Sequence, residues 1–167
     1  MQLNQPIPNF SLPDLNGKVN QLNEYRGKIV IINFWSCECP HSERTDKSIL
    51  SMFVQWQEDV VMLTIASNRN EKVEEIKNVS EARHIPNVWI DANCEAANLF
   101  EAQTTPHVFV IDRDGILRYR GAVDDVKFRQ KNPTRFYLDE AIEALLAGRL
   151  PEIQESPAYG CTIVREI

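Results

Sequence analysis

Two of the chain's four cysteines stand two residues apart in Ser36-Cys37-Glu38-Cys39-Pro40-His41-Ser42. Pro40 suits the first position of a helix, where the missing N–H costs nothing. A thiol just before it faces unpaired amide N–H groups and the positive end of the helix dipole. Such surroundings lower a cysteine pKa to roughly 3.5–7.5 and supply the thiolate that attacks disulfides and peroxides. Cys39 is therefore the candidate nucleophile. The same cluster offers a second chemistry: Cys37 and Cys39, with His41 or His107, are soft ligands suited to copper(I) or zinc. Two thiolates and one imidazole do not close a structural zinc set.

The elements that must hold Cys39 follow from the apolar pattern. Residues 28–35 form a continuous β-branched and aromatic run, as in a strand buried on both faces. A helix opens at Pro40 and turns Ile49, Met52, Phe53 and Trp56 inward. Before this unit, Asn16-Gly17 marks a hairpin joining residues 10–12 to 18–19. After it come a strand at 60–65, an amphipathic helix at 71–83 carrying Val73, Ile76 and Val79, a strand at 88–90 and a short helix at 95–100. Strands at 107–111 and 116–120 flank the turn at Asp114-Gly115. The last helix is opened by Asn132-Pro133-Thr134, striped by Leu138, Ala141, Ile142 and Leu145, and ended by Gly148. The expected fold is α/β, a central mixed β-sheet flanked by helices with an N-terminal hairpin. It occupies residues 1–148, with a C-terminal tail at 149–167 that carries Cys161. Sites in such sheets form at the carboxyl ends of the parallel strands, here 34–39, 66–69 and 91–94.

Asn33-Phe34-Trp35-Ser36-Cys37-Glu38-Cys39-Pro40-His41-Ser42 resembles the active-site segment of the thioredoxin superfamily, in its redoxin (AhpC/TSA, peroxiredoxin-like) branch. Residues 8–18 resemble that family's N-terminal hairpin, and residues 104–112 its cis-proline segment. Asp114-Gly115 and Tyr119-Arg120-Gly121 continue the likeness, which covers residues 6–147. The tail at 158–163 resembles the ending of a peroxiredoxin-like subgroup. The resemblance implies a thioredoxin-like fold and a thiol-based redox enzyme, a thiol–disulfide oxidoreductase or a peroxiredoxin-like antioxidant protein. It also implies a cis bond before Pro106 that turns the Thr105 backbone toward Cys39. Thr105, Pro106, Pro40 and Trp35 are its implied substrate-binding residues. Its implied partners are a disulfide or peroxide substrate and an external thiol reductant such as a thioredoxin-type protein, with no cofactor.

Two departures shape the chemistry. The second cysteine of the two-cysteine motif falls on Ser42, which can hydrogen-bond a thiolate but cannot close a disulfide. Ser36 matches the serine or threonine of peroxiredoxins three residues before the nucleophile, while Ile32 replaces their proline. Disulfide exchange is thus slightly favoured over peroxide reduction. Arg69, Arg83, Arg118 and Arg120 are open candidates for a peroxide-binding cation. The thiol that resolves Cys39 is expected to be Cys161, because a terminal segment can reach and release a site. Cys94 and Cys37 are the alternatives, and the short loop between Cys37 and Cys39 strains disulfide geometry.

The composition narrows the partners. With 24 acidic against 18 basic side chains, the net charge of -6 disfavours nucleic acid and anionic membrane. No stretch approaches the roughly 20 apolar residues of a spanning helix. The first residues lack a basic start and an apolar run, so a cytoplasmic protein is expected. In that compartment, cysteines serve catalysis, metal or core rather than a disulfide framework.

Overall fold

In this computed structural model, the backbone of residues 1–167 and every side chain but that of Gln57 are described. The elements are β1 (Ser11–Pro13), β2 (Val19–Gln21), β3 (Ile29–Trp35), α1 (Pro40–Trp56), β4 (Val60–Ala66), α2 (Val73–Ala82) and β5 (Val88–Ile90). Then follow α3 (Glu95–Leu99), β6 (Thr104–Thr105), β7 (His107–Ile111), β8 (Leu117–Gly121), α4 (Tyr137–Leu146) and β9 (Cys161–Thr162). The main sheet has the order β5-β4-β3-β7-β8. β3 runs parallel to β4 and β4 to β5, whereas β7 is antiparallel to both β3 and β8. The sheet is mixed, with helices on both faces, and β1 and β2 form the N-terminal hairpin.

The unbroken apolar run of β3 has a direct cause. Side chains alternate between the two faces of a strand. Val30, Ile32 and Phe34 pack with Leu63, Ile65, Phe109 and the α3 residues Ala96 and Ala97. Ile29 and Ile31 pack on the other face with Ile49 and Trp56 of α1 and with Leu138, Ala141 and Ile142 of α4. Neither face meets water, so no polar alternation is needed. The central strand thereby delivers its carboxyl end, and α1 its amino end, to one rigid place.

Two expected elements are corrected. Asn132-Pro133-Thr134 does not open the last helix, which begins at Tyr137. The Thr134 N–H and hydroxyl both bond the Asp125 carboxylate, which holds this segment as a loop. Val73 does not face the core. The inward stripe of α2 runs through Ile76 and Ser80, four residues apart, and leaves Val73 48% exposed. Among the described residues, no helix is long and apolar enough to cross a membrane.

Candidate active site

β3 ends at Trp35, and residues 36–39 lead into α1, which starts at Pro40. Cys39 is thus the residue just before the first helical position and is 3% exposed. Its Sγ lies 3.1 Å from the Thr105 carbonyl oxygen and 2.6 Å from the Cys161 Sγ. That separation is short of sulfur–sulfur van der Waals contact and little beyond the roughly 2.05 Å of a disulfide. The Thr105–Pro106 bond is cis. Thr105 also faces Cys161 in the antiparallel pairing of β6 with β9, so both thiols converge on one backbone unit.

The two sulfurs do not hold their protons equally. Burial alone would raise the Cys39 pKa. Contacts from Cys161 and Thr105, with the amides of Ser42 and Cys161, outweigh it and bring Cys39 below the ordinary thiol value. Burial, then the neighbouring Cys39, pushes Cys161 up to about 11, against a small opposing effect of the His41 amide. Of the two thiols, Cys39 is the more acidic, and a proton shared between them favours Cys161. The orphan amides of the first helical turn are spent on these two sulfurs.

A second cluster lies beside the first. Glu71, only 9% exposed, accepts through Oε1 from the Ser36 hydroxyl at 2.8 Å, the Cys37 thiol at 2.9 Å and the Glu38 N–H at 3.2 Å. Burial and this carboxylate push Cys37 up to about 12, so its thiol stays protonated. Glu71 thus ties down the loop that presents Cys39. Sequence reasoning placed Glu71 in a helix and missed it. Its one legible signal was its place just after the 66–69 strand end.

Several expected site residues have other work. The Ser42 hydroxyl does not reach the thiolate. It accepts from the Ser36 N–H at 3.3 Å, and Ser42 acts on Cys39 through its amide. Ser36 turns to Glu71 rather than to Cys39. Trp35 is fully buried, and its indole N–H donates to Asp46 at 2.9 and 3.1 Å, so it is core and cannot touch a substrate. Pro40 is exposed on the helix start, and Pro106 is buried behind Thr105. Cys94 donates to the Ser67 carbonyl, is 2% exposed and belongs to the core.

The four candidate arginines are engaged elsewhere. Arg83 pairs with Asp46, Arg118 with Asp112 and Arg120 with Glu155, while Arg69 donates to the Arg165 carbonyl. Among the described residues, none donates to Cys39. The metal arrangement is also not assembled: the Cys37 thiol points to Glu71, and His107 Nδ1 accepts from the Gln103 N–H at 3.2 Å. No cluster of three or more His, Cys, Asp or Glu side chains with metal-holding geometry occurs among the described residues.

Comparison with known proteins agrees with this architecture. Thiol-disulfide oxidoreductase ResA of Bacillus cereus is 29% identical over 116 residues, covering 69% of this chain and 66% of that relative. The match therefore spans just under two thirds of that relative's length. A solved structure of a conserved protein from Geobacillus kaustophilus superposes with a TM-score of 0.89 at 26% identity, covering 99% of this chain and 93% of that one. The thioredoxin domain of a thiol-disulfide oxidoreductase from Bacteroides vulgatus gives a TM-score of 0.64 at 17% identity, with 78% and 93% covered, a likeness of fold. The profile of the AhpC/TSA family matches residues 3–120. With the thioredoxin-like sheet, the helix-start cysteine and this match in hand, the chain belongs to the AhpC/TSA family.

Proposed function

We propose that this chain is a thiol–disulfide oxidoreductase in which Cys39 is the nucleophile and Cys161 the resolving thiol. The observation that carries this reading is the 2.6 Å approach of the two sulfurs at the start of α1. Relatives named as thiol-disulfide oxidoreductases support it. The Cys39 thiolate attacks one sulfur of a substrate disulfide, that S–S bond breaks, and half of the substrate leaves as a thiol. Cys161, deprotonated as it attacks, then displaces the other half and forms the Cys39–Cys161 disulfide. Two electrons have passed to the substrate, and an external thiol reductant returns them by attacking Cys161, the less buried sulfur of the bridge. Exchange is favoured over peroxide reduction because Arg69, Arg83, Arg118 and Arg120, the candidate peroxide-binding cations, are each engaged with other partners.

The test uses reduced protein and excess hydroxyethyl disulfide. Cys39 and Cys161 should lose their free thiols together, with both halves of the reagent released as mercaptoethanol. Release without loss of the Cys39 thiol, or no release at all, would reject the proposal.

A further inference from the structure

The segment that presents Cys161 is held at both ends. Before it, Ser156 is buried; its N–H donates to the Arg120 carbonyl at 3.1 Å and its hydroxyl accepts from the Ala122 N–H at 3.0 Å. The same hydroxyl shares a hydrogen bond of 2.6 Å with Tyr119. After it, Ile163 is 3% exposed and its N–H donates to the Gln103 carbonyl at 3.1 Å. The Val164 N–H donates to Asn68 at 2.8 Å, and Arg165 to Asn98 at 2.9 Å. Between these anchors, residues 157–162 cross the site. Tyr159 sets its ring edge-on to His41 with centroids 5.0 Å apart, and Thr104–Thr105 pairs with Cys161–Thr162.

Gly160 makes the crossing possible. A Cβ there would overlap the Thr105 carbonyl oxygen and stand 2.7 Å from its carbon and 3.1 Å from the Pro106 nitrogen. The backbone at residue 160 thus lies directly on the unit that faces Cys39, an approach that glycine permits.

An unpaired strand edge is a template on which an extended peptide adds as a further strand. The edge beside Cys39 is Thr104–Thr105, and the chain's own β9 fills it. The register also shows how a cysteine must be presented: opposite Thr105, from an extended backbone. A polypeptide disulfide presenting its cysteine in this way meets a filled edge. Displacing β9 would require lifting residues 157–162 while both anchors still hold. A small disulfide asks for less, because it needs only the Cys39 sulfur, and a rotation of the Cys161 side chain between staggered positions is a far smaller change than lifting a paired strand.

We propose that residues 157–162 form a strap that fills the peptide-docking edge, so that the disulfide reduced by Cys39 is a small molecule rather than a polypeptide. This rests on the thiol–disulfide reading above and names its substrate class. The exchange is the one already written: the small disulfide gains two electrons and leaves as two thiols, and the chain is left with the Cys39–Cys161 bond.

The experiment compares oxidation of the reduced chain by hydroxyethyl disulfide and by insulin. Each rate is divided by that of dithiothreitol toward the same disulfide, which removes differences in intrinsic reactivity. The wild-type chain should prefer hydroxyethyl disulfide, and Gly160→Val should raise the insulin-to-small-disulfide ratio by roughly tenfold or more as the added side chain lifts the strap. Gly160→Ala, a smaller insult, should move the ratio the same way. Hydrogen exchange shows whether the change is confined to the strap: amides of residues 158–163 should lose protection while those of β3 and β4 keep theirs. Equal normalised rates in the wild type would overturn the proposal. So would an unchanged ratio in Gly160→Val with a deprotected strap, or a strap that stays protected despite the added side chain. If neither disulfide oxidises Cys39 in any variant, the thiol-exchange reading itself fails, and the substrate assignment falls with it.

Discussion

Cys39→Ser should lower the rate of hydroxyethyl disulfide reduction by roughly a thousandfold or more, to the level of the remaining thiols. The loss follows from the uneven sharing of charge at the site. Burial raises the Cys39 pKa, but Cys161, Thr105 and then the amides of Ser42 and Cys161 together bring it below the ordinary thiol value, while Cys161 is raised to about 11 and Cys37 to about 12. Near neutral pH neither of those thiols is appreciably ionised, and Cys94 is likewise raised by burial and then by Asp91. In Cys39→Ser the part of the Cys161 rise that Cys39 causes is lost, but burial still raises it, and no remaining cysteine occupies the helix start that Cys39 held. Cys161→Ser should behave differently. The first attack proceeds, the serine cannot displace the second half of the substrate, and a mixed disulfide accumulates on Cys39. Mass spectrometry of the acid-quenched reaction distinguishes the two: an adduct on Cys39 in Cys161→Ser, none there in Cys39→Ser. Similar turnover by both variants would contradict the assigned order of steps.

The second large effect is on stability and comes from His107, the residue after Pro106. It is 7% exposed, its ring lies against Phe109 with centroids 4.5 Å apart, and its Nδ1 accepts the Gln103 N–H. A proton on Nδ1 would break that bond and place a charge on a largely buried ring. Burial, reinforced by Arg120 and opposed by Glu155, lowers the His107 pKa from 6.5 to about 4. The unfolded chain therefore takes up this proton first as the pH falls. The associated stability is complete above pH 6.5 and is lost as the pH drops toward 4. About 1.4 kcal/mol per pKa unit makes the loss about 3 kcal/mol. Urea unfolding at pH 7.5, 5.5 and 4 measures it. His107→Gln, whose amide oxygen can still accept from Gln103, should remove that part of the acid sensitivity while the carboxylates' part remains. An equal acid loss in both proteins would contradict it. Gln103 also accepts the Ile163 N–H through its carbonyl, so this histidine sits under one anchor of the strap.

Features that depend on one segment were legible in the residues; those that depend on distant partners were less so. The β3 run and the proline after Cys39 locate a buried strand and a helix start, because hydrophobic alternation and helix capping are local. The family likeness extended this to Thr105 and Pro106. Thr134 resembles a helix opener until Asp125, nine residues earlier, claims its N–H and hydroxyl. Ser42 and Ser36 sit at the right spacing for a thiolate, yet each hydroxyl has a nearer partner. Trp35 carries a polar handle suited to a pocket, but Asp46 on α1 satisfies it within the core. Glu71 was hidden for the opposite reason. A charged residue beside Lys72 reads as a solvated helix surface, and only the loop after β4 turns it inward to Ser36 and Cys37. The approach of Cys39 to Cys161 spans 122 residues of sequence and depends on Gly160 lying flat against Thr105, which spacing alone does not encode.

The most direct test of the account is a disulfide map of the wild-type chain. The reduced protein is treated with a small excess of hydroxyethyl disulfide, free thiols are blocked in acid, and peptides are identified without reduction. The account predicts one dominant bridge, Cys39 to Cys161 within a single chain, with Cys37 and Cys94 recovered as blocked thiols. A bridge from Cys39 to Cys37 or Cys94, or a mixed disulfide that persists on Cys39 while Cys161 stays free, would contradict it.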